Sequence, residues 1–160
     1  MMRVGQGYDL HRVGPGDVLI LGGVPIRWDR ALVGHSDADV LIHAIIDAFL
    51  GALALGDIGQ WFPPTDPSYR GISSVELLAG VLRDPRASGW RVGNVDSTVV
   101  AEAPRLAMHT VSIRESLARL LSVSVDRVSV KAKTGEGVGV VGRGEAIEAH
   151  AVLVLFHEGR

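Results

Sequence analysis

Two short stretches set imidazoles beside carboxylates. In "YDLH" Asp9 and His11 are two residues apart, and "HSDADVLIH" carries His35, Ser36, Asp37, Asp39 and His43. On a strand, Asp9 and His11 project to the same side about 6.6 Å apart along the chain, so one ion can touch both. His43 is the candidate third ligand. Two imidazoles and one carboxylate leave a tetrahedral divalent ion with one open position, as a catalytic centre requires. The neighbours of His43, from Val40 to Ile46, are otherwise apolar, so its ring is expected to be buried and to need partners. Asp39 and Asp47 stand four residues before and after it on the same helix face, and either is expected to hold the ring nitrogen not used for a metal. The same three residues also fit a core histidine satisfied by Asp39 or Asp47, with no ion. Gly5 and Gly7 share the face of Asp9 and His11, which predicts a backbone open to a ligand on that side.

A second candidate is the glycine-dense "GEGVGVVGRG", next to Lys133, Thr134 and Glu136. Its N–H groups and Lys133 suit phosphate, and Glu136 is a hard anionic ligand suited to magnesium. An ordinary glycine-rich hairpin fits equally well. Gly137, Gly139 and Gly142 satisfy G-x-G-x-x-G in form only. A dinucleotide fold needs an acidic residue about 20 positions on in a further strand, and this chain ends 18 residues after Gly142. No nucleophile elbow and no H-E-x-x-H occurs, so acyl transfer and zinc proteolysis have no residues to work with.

The elements that must position these groups are legible in part. Residues 3–10 alternate like a strand, and "DVLILGGVPIRW" reads as two short strands around Gly22 and Gly23. Ser36 followed by Asp39 has the form of a capping box, which starts a helix that ends near Gly56. Residues 57–71 read as a long loop. A second helix starts at Ser73 and runs to about Asp84, and "GNVDSTVVAEAP" is a strand that stops at Pro104. "HTVSIRESLARLLSV" has helical spacing, while "DRVSVKAKT" and "AIEAHAVLVLF" are two closing strands. This order predicts an α+β fold, a single-domain two-layer sandwich over residues 1–160, with a mixed β-sheet and helices packed on one face.

Bulk properties narrow the class. At 160 residues the chain suits one domain, and with 47% hydrophobic residues it holds more apolar material than its core needs, which points to burial between subunits. A net charge of −2, with no run of like charge, gives nucleic acid and anionic membrane nothing to bind. There is no cysteine, no secretory leader and no apolar stretch long enough to span a bilayer, so a cytoplasmic location is expected.

The set "GYDLHR", "LGG", "HSDADVLIHAIIDAFLGALALGDIG", "FPPTDP", "GNVDSTVVAEAPRL", "VKAKTGEGVG" and "GRGEAI", in this order, closely resembles the 2-C-methyl-D-erythritol 2,4-cyclodiphosphate synthases of the non-mevalonate isoprenoid pathway. The likeness spans essentially the whole chain. It implies a homotrimer with active sites between subunits, acting on 4-diphosphocytidyl-2-C-methyl-D-erythritol 2-phosphate and releasing CMP. It implies zinc at Asp9, His11 and His43, and magnesium or manganese held by Glu136 with the substrate diphosphate. His35 and Thr134 are implied as catalytic. Ser36, Asp57, Ile58, Gly59, Lys133 and the loop Phe62, Pro63, Pro64, Thr65 and Asp66 are implied as substrate-binding, with Val140 and Arg143. Ala101, Glu102, Ala103, Pro104, Arg105, Leu106 and Ala107, from a neighbouring subunit, would hold cytidine. Ala38, Gly135 and Val140 depart from the residues common at those positions, and none is a metal ligand. A metal-dependent phosphohydrolase and a trimeric, non-enzymatic metal or ligand carrier are the alternatives.

Overall fold

Residues 2–14 present Gly5, Gly7, Asp9 and His11 on one face and Val4, Gln6, Tyr8 and Leu10 on the other, the period of two of a strand. They form β1 (Met2–Gly14) in the computed structural model, which describes residues 1–159. The chain continues through β2 (Val18–Leu21), β3 (Val24–Arg27), β4 (Ala31–Val33), α1 (Val40–Leu53), α2 (Ile58–Trp61), α3 (Ser74–Leu82) and β5 (Trp90–Val100). It closes with α4 (Thr110–Leu121), β6 (Val128–Lys133), α5 (Gly139–Gly142) and β7 (Ala146–His157).

Five strands form one sheet in the order β4-β1-β7-β5-β6, with β5 and β6 parallel and the other neighbours antiparallel. A mixed sheet with helices is therefore what the sequence predicts and what the chain adopts. Strands β2 and β3 make a separate hairpin. Gly22 and Gly23 have φ of 61° and 75°, the left-handed conformations that a two-residue turn of matching twist demands.

Helix α1 is apolar nearly all round, and its residues from Val40 to Ile46 are all buried. Such a helix needs cover on every side. It lies on β1 and β7, with α3 against its flank. Its approach to β1 is set by Gly5 and Gly7: a Cβ on either would overlap the carbonyl of Ala48 or Ala44. This corrects the expectation of an open backbone there. The missing side chains admit a helix, and the helix brings His43 over Asp9 and His11.

Three further expectations change. The helix begins at Val40 with Asp39 as its cap, so Ser36 does not start it. The segment 57–71 contains α2 and a tight turn at Pro67–Tyr69. The fifth strand ends at Val100, and residues 101–105 leave the sheet as a loop before a turn at Leu106–His109.

On the opposite face of the sheet Met2, Val4, Tyr8, Leu10, Val152 and Phe156 are exposed. No helix among the described residues is long and apolar enough to cross a membrane.

Candidate metal centre and adjoining cavities

Asp9 and His11 point off the same face of β1, and His43 descends on them from α1. Asp9 Oδ2 lies 2.9 Å from His11 Nε2 and 3.0 Å from His43 Nδ1, and the two ring nitrogens are 3.1 Å apart. Ligands at about 2.0–2.1 Å around a tetrahedral ion are separated by roughly 3.3 Å, so this near-equilateral triangle is close to one face of such a polyhedron. Among the described residues it is the one His/Asp/Glu cluster with atoms arranged to hold an ion.

The proton arrangement supports that fit. His11 Nδ1 is 2.9 Å from the Val33 carbonyl oxygen. A carbonyl only accepts, so Nδ1 carries a hydrogen and Nε2 is the nitrogen turned into the triangle, with a lone pair for a cation or a second hydrogen for Asp9. Positive charge is what the cluster wants. Burial alone would raise the Asp9 carboxyl, but hydrogen bonds to His11 and His43 outweigh it and hold Asp9 well below the usual carboxylate range. Burial would lower His11, yet the hydrogen bond to Asp9 and its negative charge push it up.

The supports expected for His43 are not those present. Both oxygens of Asp39 are occupied by backbone N–H groups: Gly22 at 2.9 Å, Gly23 at 2.7 Å and Ile42 at 3.0 Å. Asp39 thus pins the β2–β3 turn to the start of α1. Its complete burial pushes it up to about 6, against the pull of those three donors. Asp47 accepts from the Ile58 N–H at 2.7 Å and holds the start of α2. Neither carboxylate orients His43. The outer nitrogen, Nε2, instead meets Ser74 Oγ at 2.9 Å and Ser36 Oγ at 3.1 Å. Ser74 escapes the sequence reading, and Asp37, which holds it, is visible there without a role. Ser74 sits 31 residues from His43, inside what reads as an ordinary helix start, and no local pattern joins the two.

A cavity of about 240 Å³ opens beside the triad, lined by its three residues and by His35, Ser36, Ile58, Gly59, Phe62, Pro64, Tyr69 and Leu77. His35 Nε2 donates to the Asp66 carbonyl at 3.1 Å, which ties the 62–66 loop to the cavity wall. Asp57 caps α2 and binds Gln60, while Asp66 caps the next turn, so neither carboxylate lines this cavity. Pro63 and Thr65 also lie outside its lining.

A second cavity of about 190 Å³ is lined by Ala101, Glu102, Pro104, Arg105, Leu106, Ala107, Ala132, Lys133 and Thr134, and shares no residue with the first. Glu136 lies at its margin with φ of 53°, its carboxylate accepting from Thr134 Oγ1 at 2.8 Å. It does not join the triad. Arg143 pairs with Glu145 at 2.7 Å, and Val140 is exposed; neither lines either cavity.

The model of the YgbB family matches residues 2–156. The chain is 54% identical to the 2-C-methyl-D-erythritol 2,4-cyclodiphosphate synthase of Trichlorobacter lovleyi, over 97% of this chain and 99% of that one. A solved 2C-methyl-D-erythritol-2,4-cyclodiphosphate synthase in its CDP-bound form superposes with a TM-score of 0.87 at 36% identity, covering 96% of this chain and 100% of the other. The Plasmodium falciparum IspF CDP complex gives 0.85 at 34% identity, covering 99% and 97%.

Proposed function

This chain belongs to the YgbB family, and we propose that it converts 4-diphosphocytidyl-2-C-methyl-D-erythritol 2-phosphate to 2-C-methyl-D-erythritol 2,4-cyclodiphosphate and CMP. The observation that carries this reading is the Asp9, His11 and His43 triangle on the wall of a cavity large enough for a small phosphorylated polyol. The full-length likeness to synthases of that name supports it.

The reaction needs no protein nucleophile. An oxygen of the substrate 2-phosphate attacks the β-phosphorus, the new P–O bond closes the ring, and the bond from that phosphorus to the bridging oxygen breaks, so CMP leaves with the bridging oxygen. Attacker and target are both anionic, and their repulsion is the obstacle. Divalent ions, zinc at the triad and magnesium or manganese at Glu136, would neutralise the phosphate oxygens. The rest falls to the chain. His35 gives its Nε2 hydrogen to the Asp66 carbonyl and so holds the 62–66 loop at the cavity wall, where a ring carrying both hydrogens also donates from Nδ1 to a phosphate oxygen. Ser36, Ile58, Gly59, Phe62 and Pro64, which line the first cavity, hold the methylerythritol and exclude water. Lys133 and Thr134 face the diphosphate from the second cavity, where residues 101–107 bind cytidine.

One substrate must touch both cavities, and they have no wall in common. We assign one cavity to each of two subunits of a homotrimer, in which the chain acts as a single synthase domain. The apolar outer sheet face around Tyr8 and Val152 supports association through that surface. Val140 and Arg143 are assigned to the surroundings of the threefold axis.

Incubation with the cytidylyl substrate, zinc and magnesium tests the reading. Stoichiometric CMP and cyclic diphosphate are expected; inorganic phosphate in their place would make the protein a phosphohydrolase, and no turnover would leave a carrier.

A further inference from the structure

The inner face of His43 is accounted for by the triad, but its outer face is not. Nε2 meets Ser74 Oγ at 2.9 Å, and Ser74 is completely buried at the first position of α3. Ser74 Oγ is in turn in very close contact with Asp37 Oδ1, while its backbone N–H donates to Asp37 Oδ2 at 3.0 Å. Asp37 Oδ1 also accepts from the Asp39 N–H at 3.2 Å.

On the outer side of the ring the hydrogens have one consistent arrangement. A carboxylate only accepts, so the single hydroxyl hydrogen of Ser74 goes to Asp37. The oxygen then has only lone pairs to offer His43, so Nε2 must carry the hydrogen it receives. With Nε2 keeping its hydrogen for Ser74, Nδ1, 3.0 Å from Asp9 Oδ2, is the nitrogen that can give up its hydrogen bond to Asp9 and offer a lone pair to a cation. Asp37 therefore specifies, through Ser74, which nitrogen of His43 is free for a cation, much as the Val33 carbonyl does for His11. Ser36 cannot do this by itself. Its hydroxyl, 3.1 Å from Nε2, is free to donate or accept, and no carboxylate fixes its direction.

We infer that Ser74, locked by Asp37, is the positioning residue that fixes the His43 ring and its metal-ready tautomer. The inference rests on the metal reading above and extends it to two residues from outside the ion's reach. Groups placed behind a ligating imidazole hold its orientation and raise its basicity, and losing one typically weakens metal binding about 10–100-fold.

The test is a titration of metal-free protein with Co²⁺ near neutral pH, following the visible absorption of the bound ion and competing it with a chelator. Ser74→Ala should weaken Co²⁺ about 10–100-fold and change the band shape, while Ser36→Ala should cost less than about tenfold. A merely structural role would lower the melting temperature of the metal-free protein and leave the affinity of the folded fraction where it was. Ser74→Ala that folds and binds Co²⁺ within about threefold of wild type overturns the inference. Should that variant fail to fold, Ser74→Cys fills the same space with a poor acceptor and is judged by the same criterion. Wild-type protein that binds no Co²⁺ would instead remove the metal reading itself.

Discussion

Gly7 of β1 lies directly beneath Ala44 of α1, so close that a Cβ on the strand would occupy the place of the Ala44 carbonyl oxygen. Ala44 follows His43, and this contact therefore sets the height of the imidazole above Asp9 and His11. Gly7→Ala must lift the helix, because backbone cannot rotate out of the way as a side chain can. Overpacking of this kind costs about 1–3 kcal/mol, and here the cost should reach or pass the upper end. Denaturant unfolding should show that loss, and metal affinity should fall at least tenfold.

Gly51, on the same helix, gives the opposite expectation. A Cβ there would meet only the Gln6 carbonyl at 3.8 Å, an ordinary contact. Gly51→Ala should be neutral or should stabilise by up to about 1 kcal/mol, the helix-propensity difference. A clear loss of stability in this variant would mean that the helix lies closer to β1 than described.

These two glycines show where sequence reading reaches and where it stops. The period of two in β1 correctly puts Asp9, His11, Gly5 and Gly7 on one face, and the buried run of α1 foretells an enclosed His43. Both are local signals. That the glycines receive a helix, that Asp39 is spent on the Gly22–Gly23 turn, and that Ser74 supports His43 are matters of contact between segments 16 to 47 residues apart, for which a single chain carries no local mark. The start at Ser73 is legible because Glu76, three residues on, completes a capping-box pattern; the start at Asp39 is read as Ser36 because Asp and Ser signal a helix start equally well.

The triad should bind metal more tightly as pH rises, and the sign follows from His11. Its folded value is raised above the ordinary 6.5 by Asp9, so the pair stabilises metal-free protein below that pH and the contribution is lost as pH climbs through the raised value. A cation needs the proton gone. The increase in melting temperature produced by saturating zinc should therefore grow from mildly acidic to mildly alkaline pH. A shift that is constant or shrinks over that range would show that His11 is not a ligand.

Asp47 supports the wall of the first cavity rather than the triad, since its carboxylate accepts from the Ile58 N–H at 2.7 Å and Ile58 and Gly59 line that cavity. Asp47→Ala should raise KM several-fold while leaving zinc affinity within about twofold of wild type. Asp47→Asn keeps an acceptor oxygen and should do less. Loss of zinc from Asp47→Ala, measured by metal analysis, would reverse the assignment.

The proposed division of one substrate between two subunits makes the sharpest prediction. His43→Ala disables the first cavity and Lys133→Ala the second, and each variant should be nearly inactive alone. In a mixed homotrimer a site works when the subunit giving the first cavity is the Lys133 variant and its neighbour giving the second is the His43 variant. Refolding the two in equal amounts makes that coincidence about one in four, so roughly a quarter of wild-type CMP release should return if the ring closes head to tail. Sites contained within single chains would each retain one defect, and the mixture would stay as inactive as its parts.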